Sequence, residues 1–228
     1  IGRRQDVSDI HFGGGTPTIM TPEEFLDLTA TLAAAFGIGG ATEFAVEIDP
    51  RTLTVEMSEA LGEAGITRAS LGVQSFDPKV QKAINRIQSA EQTATALSNL
   101  RRAGAKSVNF DLIYGLPMQT PESFARTLTQ VNALRPDRIA LYAYAHLPSR
   151  FKPQRRIIAA ELPSPGDKLS MLSASLDAMN DAGYVYVGMD HFALPTDALA
   201  VAKRQGRLHR NFQGYSTQPD CDLIALGV

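Results

Sequence analysis

Apolar residues alternate with polar ones in six short runs, and between these runs the apolar spacing widens to the period of amphipathic helices. The alternating runs are DIHF (9–12), EFAVEI (43–48), RASLGVQ (68–74), SVNFDLIYG (107–115), RIALYAYA (138–145) and YVYVGM (184–189), and each predicts a strand. Helices are predicted where capping residues open the wider period. Thr21-Pro22-Glu23-Glu24 and Thr120-Pro121-Glu122-Ser123 each set a proline behind a threonine cap, with acidic residues at the positive end of the helix dipole. Thr54 opens another helix, which Gly65 closes. Residues 89–103 make a fourth, closed by Gly104, and 165–182 a last long one, closed by Gly183.

Strand and helix in alternation, joined by short glycine-containing returns, indicate parallel βαβ units. The fold class expected is therefore α/β, a complete or partial (β/α) barrel, with its chemistry at the C-terminal strand ends. Those ends read Gly13-Gly14-Gly15-Thr16, Glu47-Ile48-Asp49-Pro50, Gln74-Ser75, Asp111 through Pro117, and Tyr144 through Pro148. A structural barrel also has polar strand ends, but five such ends in succession favour a site. Three successive glycines are costly unless φ must be positive or something must approach the backbone. GGGTP has neither the spacing of a dinucleotide fingerprint nor the Lys-Ser/Thr of a phosphate-binding loop.

Composition narrows the reading further. The net charge of -2 gives no reason to propose nucleic acid as a partner. No apolar run approaches the ~18 residues of a membrane span. The single cysteine, Cys221, leaves no internal disulfide and fits a reducing, cytoplasmic setting. The chain opens on Ile with a strand due within ten residues, as a piece of a longer protein would.

GGGTP, VEIDP, LGVQSFD, NFDLIYGLPMQTPESF, YAHLP, GMDHFALP and HRNFQGYSTQ run in order through the chain, and with them it resembles the oxygen-independent coproporphyrinogen III oxidases (dehydrogenases). These are radical S-adenosylmethionine enzymes of bacterial haem synthesis. The resemblance implies a partial (β/α)6 barrel, open and with parallel strands, over residues 1–183. Residues 184–228 would form an extra strand and substrate-side loops leading to a further C-terminal domain. By the family pattern the chain begins just before the second strand. The Cys-x3-Cys-x2-Cys loop that holds the family's 4Fe–4S cluster is not among these residues, and Cys221 alone cannot replace three thiolates. The chain by itself would then be without turnover.

The implied activity is decarboxylation of two propionates of coproporphyrinogen III to vinyl groups, giving protoporphyrinogen IX. A 5′-deoxyadenosyl radical takes a hydrogen from the propionate β-carbon, and the protein positions the reactants. The implied partners are a tetrapyrrole and an electron donor.

The resemblance also implies two S-adenosylmethionine molecules. Gly14 and Glu47 match the site of the first; Gly15, Thr16, Gln74, Arg86, Asp111 and Ala145 match that of the second. Glu47 suits ribose hydroxyls, Arg86 a carboxylate, and Asp111 an amine, a sulfonium or a hydroxyl. Structural roles stay open for each: a tight turn at 13–15, a helix cap at Glu47, backbone satisfaction by Gln74, a solvated Arg86, an Asp111 paired with a core cation. His191, His209 and Arg210 would meet substrate propionates, or the two histidines would only order the loop between Met189 and Gly214. A haem chaperone on the same barrel is one rival, disfavoured because its Asn-x-x-Tyr-Trp pattern is absent and the chain has no Trp. A non-radical (β/α) barrel lyase or isomerase is another.

Overall fold

The computed structural model describes residues 6–211, 214–218 and 221–227; Phe212 and Gln213 of the HRNFQGY motif, and residues 1–5, lie outside that range. Five strands and the helices between them follow the predicted alternation: β1 (Asp9–Phe12), α1 (Pro22–Ala35), β2 (Glu43–Ile48), α2 (Val55–Glu63) and β3 (Arg68–Gln74). Then come α3 (Pro78–Ala83), α4 (Ala90–Arg102), β4 (Ser107–Tyr114), α5 (Pro121–Leu134), β5 (Arg138–Ala143) and α6 (Pro165–Asp181). Beyond these lie β6 (Val185–Gly188), β7 (His191–Ala193), α7 (Ala198–Arg204), and a separate hairpin of β8 (His209–Asn211) and β9 (Gly214–Ser216).

The capping residues act as the sequence indicates. The Thr21 hydroxyl accepts from the Glu24 N–H while the Glu24 carboxylate accepts from the Thr21 N–H, closing both orphan donors at the start of α1. Thr54, Ser89, Thr120 and Ser164 cap α2, α4, α5 and α6.

β1 through β5 pair in parallel, in chain order. The full order is β1-β2-β3-β4-β5-β7-β6, and among the described residues nothing pairs β1 with β6, so the sheet is an open barrel. α3 and the β8–β9 hairpin are additions to the expected pattern, and its last strand differs from it. The run at 184–189 is strand only over Val185–Gly188, and the chain reverses at Met189 and returns as β7 between β5 and β6, antiparallel to both. Leu141 N–H donates to the Asp190 carbonyl and anchors that reversal. β7 has three residues, too few for a periodic signal.

Burial alternates along β2, β3 and β4. Phe44, Val46 and Ile48, Ala69, Leu71 and Val73, and Val108, Phe110 and Leu112 are buried, with partly exposed residues between them. The buried set packs under Phe25, Leu61, Leu100, Phe124, Leu128 and Met171 of the helices in one continuous core. Each such side chain contributes roughly 1.5–3 kcal/mol by leaving water. Val187, Ala193, Leu199 and Ala200 form a smaller second cluster, against which Leu208 and Tyr215 pack. Among the described residues no helix is long and apolar enough to cross a membrane.

Candidate functional site

With the helix-side face filled by hydrocarbon, the opposite face carries the polar residues of the alternation. Register sets them in tilted rows: Gly72 pairs with Asp111, Asp111 with Ala140, and Ala140 with His191. Asp111 thus stands between two small residues, with room on either side. Its carboxylate accepts from the Ser70 hydroxyl (2.8 Å) and the Asn109 amide (2.9 Å), and no cation pairs with it among the described residues. Burial raises its pKa, outweighing those two hydrogen bonds, and Glu47 adds to the rise. A core salt bridge is therefore not its role.

The three glycines separate into three cases. At Gly13 a Cβ would sit 2.7 Å from His11 Nε2 and 3.1 Å from Glu47 Oε1, so a side chain there would break the 3.2 Å contact between those residues. Gly14 has φ +91°, a conformation that side chains disfavour. Gly15 has neither constraint: its φ is ordinary, and apart from the adjoining residues nothing lies within 4 Å of the position a Cβ would take. It borders an open cavity of about 190 Å³, which Thr16, Glu47, Ile48, Asp49, Ser70, Gly72, Gln74, Arg86 and Asp111 also line.

Arg86 follows α3 and turns back over β3, where its Nη2 donates to the Gly72 carbonyl (2.7 Å) and its Nη1 to Asp49 Oδ2 (3.3 Å). It is not a solvated helix residue. Its Nε is buried and has no partner among the described residues. Burial would raise Asp49; hydrogen bonds from Arg51 and the charges of Arg86 and Arg51 outweigh it and hold the carboxyl below its usual range. A side chain at Gly72 would meet Arg86 Nη2 at 2.9 Å and Gln74 Nε2 at 3.0 Å, so the glycine admits both groups to the strand. Gln74 itself is left-handed (φ 65°) beside a register shift in β3, and its amide makes no hydrogen bond among the described residues. It therefore satisfies no buried backbone, and Glu47 caps no helix.

The structure thus brings Gly15, Thr16, Glu47, Gln74, Arg86 and Asp111 around one cavity. Gly14 adjoins it in the chain without lining it. Ala145 lies past the end of β5, its carbonyl accepting from Gln154 (3.0 Å), outside the lining. Ile48, Asp49, Ser70 and Gly72 complete the wall, and sequence reasoning does not single them out as ligands; a glycine inside a strand pattern is the signal available for one of them.

His191 stands two places along the row from Asp111, beyond Ala140. Its Nδ1 lies 2.7 Å from Asp190 Oδ1, and Tyr142 and Tyr215 meet the imidazole edge-on at 6.2 and 5.4 Å between centroids. Burial raises the Tyr142 pKa, and the charges of Asp111, Asp190 and Glu47 push it further. Arg210 and His209 are exposed on β8, the Arg210 guanidinium lying 5.8 Å over the Tyr215 ring.

An open, mostly parallel barrel with this polar face defines a class, and the family model described as the Radical SAM superfamily matches residues 1–131: the chain belongs to that superfamily. Its members work with S-adenosylmethionine and a 4Fe–4S cluster. Within it, the chain is 51% identical to the oxygen-independent coproporphyrinogen III oxidase of Pseudomonas aeruginosa, over all of this chain and 50% of that protein. It is 47% identical to the Escherichia coli K12 protein of the same name, over 97% of this chain and 49% of that one. The solved structure of coproporphyrinogen III oxidase from E. coli, a radical SAM enzyme, superposes with a TM-score of 0.95, covering 99% of this chain and 52% of that chain. The chain spans about half the length of the curated relatives it matches.

A 4Fe–4S cluster is held by cysteine thiolates. The chain has one cysteine, exposed Cys221, and among the described residues no three His, Cys, Asp or Glu side chains group to hold a metal. The donors for a cluster are not in this chain.

Proposed function

We propose that the complete protein carrying this chain is a coproporphyrinogen dehydrogenase, which converts two propionates of coproporphyrinogen III to vinyl groups without oxygen in haem biosynthesis. Each propionate gives up a β-hydrogen atom, then carbon dioxide and one electron, which passes to an electron acceptor. Bound S-adenosylmethionine supplies hydrogen-abstracting radical chemistry, and the chain's own residues bind it, orient it and keep water away.

The observation that carries this reading is the cavity bordered by Gly15. Its wall offers a glycine with no structural constraint, the carboxylates of Glu47 and Asp111, and two groups without a partner among the described residues: the Gln74 amide and the buried Arg86 Nε. An amino acid carrying a sulfonium, an ammonium, a carboxylate and ribose hydroxyls complements that set: acids for the cations and hydroxyls, Arg86 for the carboxylate. We assign Gly14 and Glu47 to one S-adenosylmethionine, and Gly15, Thr16, Gln74, Arg86, Asp111 and Ala145 to a second. His191, His209 and Arg210 face the substrate's carboxylates in this reading. Residues 1–183 carry the barrel core and 184–228 the extra strand and substrate-side loops; the protein is cytoplasmic and takes its electrons from a separate donor.

The test is anaerobic turnover of coproporphyrinogen III by the complete protein, with S-adenosylmethionine binding measured alongside. Glu47→Ala and Asp111→Ala each remove a charge-assisted hydrogen bond worth about 1.5–3 kcal/mol of binding. Normal binding and turnover in both variants would refute the assignment.

A further inference from the structure

We propose that Tyr215 is a positioning residue: its ring holds the His191 imidazole in place on the polar face of the sheet, ready to meet a carboxylate of the anionic tetrapyrrole. The inference rests on the substrate reading above and adds a residue that neither the strand ends nor the cavity wall points to.

His191 is fixed on three sides. Asp190 engages Nδ1 at 2.7 Å, Tyr142 meets the ring edge-on at 89°, and Tyr215 meets it at 79° from the closer distance of 5.4 Å. With Nδ1 facing Asp190, Nε2 is the ring nitrogen left for a ligand, and it has no partner among the described residues. Asp190 and Tyr142 belong to the main sheet and its β6–β7 turn. Tyr215 belongs to the β8–β9 hairpin, which shares no backbone pairing with that sheet among the described residues.

Among the described residues, Tyr215 is the hairpin residue that docks on the sheet's end. Tyr215 packs on the small cluster of Val187, Ala193, Leu199 and Ala200. Its hydroxyl lies over Gly188 in the space a Cβ would fill, and Arg210 covers the ring at 5.8 Å. The hydroxyl makes no hydrogen bond among the described residues, so the ring and not the hydroxyl carries the role. Edge-to-face contacts of this kind have directional preferences that a branched aliphatic side chain does not reproduce.

The test is the affinity of the complete protein for coproporphyrin III, the stable oxidised porphyrin with the same four propionates, read by fluorescence quenching. Tyr215→Leu is expected to weaken binding by about tenfold or more, as His191→Ala does, the loss of one hydrogen bond to a charged group. Tyr215→Phe restores wild-type affinity. Combining Tyr215→Leu with His191→Ala adds nothing further, because both remove the same interaction. Gly188→Ala, which displaces the ring without deleting it, reproduces the Tyr215→Leu loss and keeps the test open should the leucine variant not fold.

Additive losses, or a Tyr215→Phe variant as weak as Tyr215→Leu, would overturn the positioning role while leaving the substrate reading intact. A wild-type protein that does not bind the porphyrin would overturn both.

Discussion

Gly15→Ala separates a glycine required by the fold from one required by a ligand. Apart from the adjoining residues, no heavy atom lies within 4 Å of the Cβ this variant would add, and the residue's φ is not left-handed. Folding therefore meets no clash, and the stiffer unfolded chain should raise stability by about 0.4–1 kcal/mol. Gly14→Ala is the contrast, because its φ of +91° strains any side chain by roughly 1–2 kcal/mol. Ligand affinity should move the other way at Gly15. A methyl projecting into an occupied cavity forces a repacking costing about 1–3 kcal/mol, which is about 5- to 150-fold in Kd. The assay pairs thermal unfolding of the ligand-free protein with calorimetric titration of S-adenosylmethionine into the complete protein. The expected pattern is an unchanged or higher Tm with weakened binding for Gly15→Ala, and a lower Tm for Gly14→Ala. Unaltered affinity in Gly15→Ala would show that the ligand does not approach this strand end, and the cavity assignment would fall with it.

Other outcomes follow from the same geometry. His11→Ala removes the half-exposed 3.2 Å contact to Glu47, so stability should change by less than about 1 kcal/mol while S-adenosylmethionine binding weakens severalfold; equal affinity would show that Glu47 needs no orienting partner. Asp197→Ala should lower stability by about 3–5 kcal/mol, since it strands buried Arg138 near Arg68 and uncaps α7; at about 2–4 °C per kcal/mol the Tm falls by roughly 6–20 °C. A fall of about 2 °C or less, the size expected of a surface change, would mean the pair is not stabilising in this setting. Asp111→Asn should stabilise the ligand-free fold at neutral pH. The folded-state pKa of Asp111 is raised, so its ionisation opposes folding above that pKa, and the variant's advantage should vanish as pH falls towards 3.8, where the carboxyl is protonated folded or unfolded. Denaturant titrations at about pH 7 and below about pH 4 check this, and an advantage that persists in acid would contradict it.

The elements legible in the sequence are those whose signal is local. β2 and β3 declare themselves because one face packs against helices and the other does not, so alternation survives over six and seven residues. Capping residues announce the helix starts because their hydrogen bonds reach only two or three positions. α3 gives no such signal: six residues capped by Asp77 are too short to show a period. β7 and the β8–β9 hairpin escape for the same reason, and their placement depends on partners far away in the chain. The site divides along the same line. Strand ends can be read one at a time, and Glu47, Gln74 and Asp111 stand out there. Gly72 becomes meaningful only when Arg86, fourteen residues on, is seen folded back onto its carbonyl. Tyr215 becomes meaningful only when a second hairpin delivers its ring to His191.

The row Gly72, Asp111, Ala140 and His191 shows how this fold trades stability for chemistry. A carboxylate desolvated without a cationic partner destabilises the chain that carries it, and two neutral donors from Ser70 and Asn109 do not offset the burial of Asp111. Larger apolar residues in place of Gly72 and Ala140 would fill the flanking space, but a β-carbon at position 72 would collide with Arg86 and Gln74. The small residues therefore keep both the space beside the carboxylate and the approach of the two polar side chains. A ligand that brings a positive group to this space relieves the carboxylate, and one that also brings a carboxylate gives Arg86 an acceptor beyond Asp49. The same unsatisfied groups that weaken the empty fold make its binding selective for a molecule carrying both charges, since a ligand with only one of them would leave the other half of the wall unpaired.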